Sequence, residues 1–132
     1  KVTLDSDSYM TIERLRAAEI LAGFGISAEV VDLRSISPLD TERIISSVAK
    51  TRRILVGDTG HVNFGVSAEV VAAVAEQQGL RLLTPLKRIG LPFAPTPTTP
   101  ALADDYYPTS REIVLLVMKM LGRDEPQLDH LM

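Results

Sequence analysis

Apolar residues recur along this chain with two alternating periods, and the alternation predicts strands and helices in turn from end to end. Val2–Leu4 is a short apolar run, broken by Asp5, Ser6, Asp7 and Ser8, whose side chains compete for backbone hydrogen bonds and favour a turn. From Thr11 the period becomes helical. Ile12, Leu15, Ala18, Leu21 and Ala22 fall on one predicted inner face, with Glu13, Arg14, Arg16 and Glu19 on the others. Gly23 and Gly25 supply a helix stop. Ala28–Leu33 reads as a second strand. Ser37–Pro38–Leu39–Asp40 then announces a helix capped by Ser37 or Asp40, with Leu39, Ile44, Ile45 and Val48 as its apolar stripe through Lys50.

Arg53–Gly57 is a third strand, and its apolar run followed by turn residues predicts burial on both faces. Asp58 to Gly65 is expected as a loop. It leads into a helix that turns Val66, Val70, Val71 and Val74 inward and ends near Gly79. Leu82–Leu83 and Leu86–Ile89 are strand candidates either side of Pro85. Pro92, Pro95, Pro97 and Pro100 then exclude helix and central strand, because proline lacks the backbone donor both need. Thr109–Ser110–Arg111–Glu112 is a capping box that opens a last helix, with Ile113, Val114, Val117, Met118 and Leu121 on its apolar side and Gly122 as its stop. One domain over 1–122 and a polar tail over 123–132 follow. Strands alternating with helices call for a mainly parallel sheet covered on both faces.

A length of 132 residues fits one domain with one core, and 45% apolar with 23% charged residues is ordinary for a folded chain. The net charge of −3 and the absence of any extended basic patch argue against nucleic acid, which needs a phosphate-neutralising surface. No apolar run reaches the ~18 residues of a membrane span. With no cysteine, disulfides, thiolate zinc sites and cysteine nucleophiles are excluded from this chain. Lys1 stands where a methionine would begin a gene product, and a strand follows at once, so the chain is expected to continue a longer polypeptide.

Candidate chemistry concentrates after the third strand. Asp58–Thr59–Gly60 matches the aspartic-protease signature, but only one copy is present and the helical patterns do not suit that mostly β architecture. Gly60 and Gly65 lead into a helix that could aim backbone N–H groups at an anion. The lysine of a phosphate loop is missing, since Val66 and Ser67 follow, and tight packing explains the glycines more simply. His61 lies where α/β folds commonly hold ligands, yet His61 and His130 alone make no metal site. Tyr106 and Tyr107, in a proline-rich setting, read equally as a partner-facing surface or as loop packing. No Gly-x-Ser-x-Gly elbow is present.

In this order the motifs resemble a known family. The run Ile26–Asp40, ISAEVVDLRSISPLD, resembles the C-terminal domain of transketolase-like enzymes, most closely that of the E1 β subunit of 2-oxo acid dehydrogenases such as the pyruvate and branched-chain enzymes. Lys50–Val56, Phe64–Val70, Pro85–Ile89, Pro95–Thr96–Pro97 and Tyr107–Pro108–Thr109 continue the likeness in register over about residues 1 to 121. Departures are Asp5 to Ser8 in place of a glycine-bearing loop, Asp58–Thr59 where the family often carries Glu, and Phe93 where an acid is common.

The resemblance implies a three-layer α/β/α sandwich around a mainly parallel sheet of about five strands, one edge strand antiparallel. It also implies that thiamine diphosphate and Mg belong to other domains of the whole enzyme, leaving no catalytic, cofactor or metal residue here. The implied partners are an E1 α subunit, a second E1 β subunit and the subunit-binding domain of the acyltransferase (E2) component, with no nucleic acid and no membrane. The implied setting is the bacterial cytoplasm rather than the mitochondrial matrix. The partner surface is expected over Asp58, Thr59, Gly60, His61, Phe64 and Gly65, joined by Phe93, Tyr106 and Tyr107. Two rivals are the equivalent domain of deoxyxylulose phosphate synthase or transketolase, and a free-standing binding module.

Overall fold

Strand pairing in the computed structural model joins four strands into one parallel sheet, in the order β2-β1-β3-β4. Residues 1–7, 10–33, 38–92, 95, 98–99, 108–126 and 128 are described. The strands are β1 (Val2–Asp7), β2 (Ala28–Leu33), β3 (Ile54–His61) and β4 (Lys87–Leu91). Between and after them run α1 (Met10–Gly23), α2 (Thr41–Thr51), α3 (Val66–Ala75) and α4 (Ser110–Met120). The α/β sandwich expected from the sequence is therefore present. Among the described residues the sheet has four strands rather than about five, and all pair in parallel.

The alternation of strand side chains divides the core in two. Val2, Leu4 and Leu55 face one way and pack with Met10, Ala17 and Leu21 of α1 and Ile113, Val114, Val117 and Met118 of α4. Val31, Leu33, Ile54 and Val56 face the other way, against Ile44 and Val48 of α2 and Val70 and Val74 of α3. Thr3 shares that second face. It is fully buried, and its Oγ1 lies 2.9 Å from Ser47 Oγ and 2.6 Å from Thr51 Oγ1, a hydroxyl stitch between β1 and α2.

Three elements differ from expectation. β1 does not stop at Leu4 but runs to Asp7, because it is a central strand: Asp5 is paired with Val31 on one side and Val56 on the other. Ladder bonds on both flanks override the weak strand preference of Asp and Ser. β3 likewise continues past Gly57 to His61, with an irregular step in its pairing to β4 between those two residues. Leu82 and Leu83 form no strand; the Leu83 amide donates to Arg52 O (2.8 Å).

Of the apolar face expected for α1, Leu21 is buried but Ile12 and Leu15 are not. The buried residues of α1 are Met10, Glu13, Arg14, Ala17 and Leu21, while Ile12 and Leu15 are 54% and 52% exposed. The helix is turned so that two charged residues enter the protein, because each finds a partner there. Arg14 Nη1 donates to Leu55 O (3.1 Å), and Glu13 Oε2 accepts from the Ser110 amide (2.6 Å) at the start of α4. Both caps read from the sequence are formed: Asp40 Oδ1 accepts from Arg43 N, and Thr109 Oγ1 from Glu112 N. Ser37, the other cap weighed for α2, lies outside the described residues. Beyond α4, Arg123 Nη1 donates to Phe24 O (3.0 Å), and Leu128 is 1% exposed within the first core.

A candidate interface at the carboxyl edge of the sheet

The strand order 2-1-3-4 brings the carboxyl ends of β1 and β3 side by side, and in open parallel sheets this edge is where ligands and partners are met. Six of the nine expected interface residues lie here, on β3 and the turn after it. Phe93, Tyr106 and Tyr107 lie outside the described residues.

Asp58 does not form the surface. It is 3% exposed, and its carboxylate is spent internally: Oδ1 accepts from the Gly60 amide and Oδ2 from the Ser67 amide, both at 2.9 Å. Ser67 is the second residue of α3, whose N-cap is Gly65 and has no side chain to offer. The aspartate reaches across from β3 and does the capping in its place, where the helix dipole also favours a negative charge. This arrangement dictates Gly65. A Cβ there would run into Asp58 Oδ2 and His61 O. The glycine serves close approach, as the packing reading of the Gly60–Gly65 pair held.

The same observation tests thiamine diphosphate against this domain. The one helix N-terminus on this edge that the sequence marked for an anion already holds the Asp58 carboxylate, so it does not fit a diphosphate. Among the described residues no three His, Asp or Glu side chains gather as the ligands of a metal ion.

Thr59, Gly60 and His61 are half-buried along the end of β3, and Phe64 stands out at 96% exposure with φ +60°. The turn that carries Phe64 is held at several points. The Val62 amide donates to Leu91 O (3.0 Å), Arg88 Nη1 donates to Val62 O (2.6 Å), and the Ala68 amide donates to Gly65 O (3.1 Å). What the site offers chemically is a fixed, partly apolar knob.

Sequence reasoning missed the polar groups that support this edge from below. Arg14 is fully buried, with its guanidinium over Gly57, where a Cβ would lie 2.8 Å from Cζ. Glu13 is 7% exposed, and it also accepts from Arg16 Nη1 at 3.4 Å. A signal was available. Apolar residues occupy two sides of the 10–23 segment, so no rotation of that helix buries all of them.

Comparison with known proteins places this geometry. A family model described as transketolase, C-terminal domain, matches residues 1–113. The chain is 38% identical over 128 residues to the β subunit of acetoin:2,6-dichlorophenolindophenol oxidoreductase of Bacillus subtilis, covering 97% of this chain and 37% of that protein. It is 43% identical over 110 residues to the mitochondrial pyruvate dehydrogenase E1 component subunit β of Saccharomyces cerevisiae, covering 82% and 30%. The corresponding pyruvate dehydrogenase subunit of Bacillus subtilis is 38% identical over 112 residues, covering 85% and 34%. Among solved structures, one titled split gene transketolase, inactive β4 tetramer, superposes with a TM-score of 0.78 at 29% identity, over 92% of this chain and 38% of that one. The chain thus spans between 30% and 38% of these proteins' lengths. They come from bacteria and from mitochondria, and no helix among the described residues is long and apolar enough to cross a membrane.

Proposed function

The chain belongs to the transketolase C-terminal domain family, and from that premise we propose that it is the association domain of an E1 β-type subunit. The whole enzyme decarboxylates a 2-oxo acid on thiamine diphosphate and passes the acyl group to lipoamide. This domain does no chemistry alone; it joins subunits. The observation that carries the reading is the state of the carboxyl edge. The groups that could have bound a cofactor there, Asp58 and the α3 N-terminus, satisfy one another, while an aromatic side chain is held out into solvent. Likeness to the pyruvate dehydrogenase E1 β subunits of Saccharomyces cerevisiae and Bacillus subtilis supports the enzyme class.

The partners in this reading are the E1 α subunit, a second E1 β subunit and the subunit-binding domain of the acyltransferase component. Removing residues 1–132 from the longer subunit is expected to abolish its assembly with the α subunit, read by sedimentation velocity. The separate domain is expected to give no heat on titration with thiamine diphosphate and Mg. A tight 1:1 isotherm would move the cofactor site into this chain and end the proposal. A second substrate reading has its own support, since the acetoin oxidoreductase subunit covers 97% of the chain. Turnover of acetoin against pyruvate by the assembled enzyme separates the two.

A further inference from the structure

We propose that residues 123–126 and Leu128 form a strap, hinged at Gly122, that closes the ends of α1 and α4 and lifts off while the rest of the domain stays folded, independently of the association reading above.

The segment after α4 is mostly polar, and Leu128 is the first large apolar side chain to follow Leu121. That leucine is 1% exposed and belongs to the core cluster of Leu21, Val114 and Met118. A turn at the end of α4 sets the path toward it. Gly122 has φ +67°, its amide donates to Lys119 O (3.1 Å), and the Arg123 amide donates to Met118 O (2.9 Å). This pair of bonds around a left-handed glycine is a common way for a helix to end, and it fixes the direction in which the strap leaves α4. Arg123 Nη1 then donates to Phe24 O (3.0 Å), just beyond the end of α1.

Between those two attachments the strap stands away from the body. Asp124 and Glu125 are exposed, Pro126 has no amide to donate, and among the described residues no hydrogen bond holds 124–126. These residues line an open cavity of about 470 Å³ together with Phe24 and Met118. One side-chain hydrogen bond and one buried leucine must therefore offset the conformational entropy of a run of ordered residues, a cost that grows with each residue held. The two nearly cancel, so closure is favoured only modestly. A segment with few buried contacts and no ladder of hydrogen bonds opens at the low end of a protein's stability range, ahead of its core strands and helices. Open, the strap bares Phe24 and Met118; closed, it seals the first core.

The test uses the full-length subunit and a buried thiol. Residues 1–132 contain no cysteine, so a thiol introduced there is followed by peptide mass after labelling. Met118→Cys places it under the strap, and Ile113→Cys places it earlier on the same helix, in the same core. With the strap intact, the thiol of Met118→Cys is expected to react at least about tenfold faster than that of Ile113→Cys, at a rate that low urea leaves unchanged. Adding Leu128→Ser is expected to speed the Met118→Cys thiol at least about tenfold more and to leave the Ile113→Cys thiol within about twofold. Arg123→Ala, at an exposed residue, is expected to act in the same direction by a smaller factor. Equal rates for the two thiols with the strap intact overturn the strap, because the region then opens only with the whole domain. So does an equal rise at both on adding Leu128→Ser, which makes Leu128 an ordinary core residue, and so does no rise at either.

Discussion

At the scale of single residues, the carboxyl edge is organised by one buried carboxylate. Asp58 accepts from two backbone amides, that of Gly60 two residues on and that of Ser67 at the start of α3. An amide left unsatisfied in a buried site costs more than an average hydrogen bond contributes. Asp58→Ala is therefore expected to destabilise the protein by about 1–3 kcal/mol in urea unfolding, with Asp58→Asn recovering part of that loss because its carbonyl can still accept one bond. An unchanged midpoint for the alanine variant would mean that water or another group caps α3. The approach of Asp58 to Gly65 also explains why a residue with no side chain can stand at the N-cap of a ten-residue helix.

At the scale of elements, α1 decides most of the difference between expectation and structure. Its sequence offers two apolar stripes, and the one that reads more evenly, Ile12 with Leu15, faces solvent. Packing on α4 selects the other, because Glu13 can reach the Ser110 amide and Arg14 can reach Leu55 O only from that rotation. Leu21→Ala is expected to cost about 2–4 kcal/mol, as buried leucine truncations do, whereas Ile12→Ser stays within about 0.5 kcal/mol. Thermal or denaturant unfolding of the two variants side by side checks this. Equal losses would mean that Ile12 is covered after all. The two cap residues read in advance, Asp40 and Thr109, show the opposite case. Capping depends on three or four neighbouring residues and survives whatever the rest of the chain does.

At the scale of the whole molecule, a single sheet separates two cores that share no side chains. Leu21 lies in one, with α1 and α4, and Ile44 in the other, with α2 and α3. Substitutions to alanine at these two sites are expected to add, with a coupling of no more than about 0.5 kcal/mol in a double-mutant cycle. A larger coupling would show that the sheet between them transmits strain. The same separation gives the edge its character. α1 and α4 support it from one side through Glu13 and Arg14, α3 from the other through Asp58, and the turn bearing Phe64 projects between strand and helix.

The sequence by itself determined the alternation of strands and helices, the parallel sheet with two covered faces, the caps at Asp40 and Thr109, and the family. These are carried by periods and spacings within a dozen residues, where local sterics and hydrogen bonding decide. It also pointed to the stretch 58–65, through the turn residues that follow a buried strand. Only the tertiary structure decided that β1 and β3 run on through Asp5 and Asp58, that α1 buries charge and exposes Ile12, and that Asp58 looks inward while Phe64 looks out. Each of these depends on a partner distant in sequence: Val31 and Val56 beside Asp5, Ser110 above Glu13, Ser67 beyond Asp58. A polar side chain is worth burying only where such a partner meets it, and local sequence does not say where that partner will be.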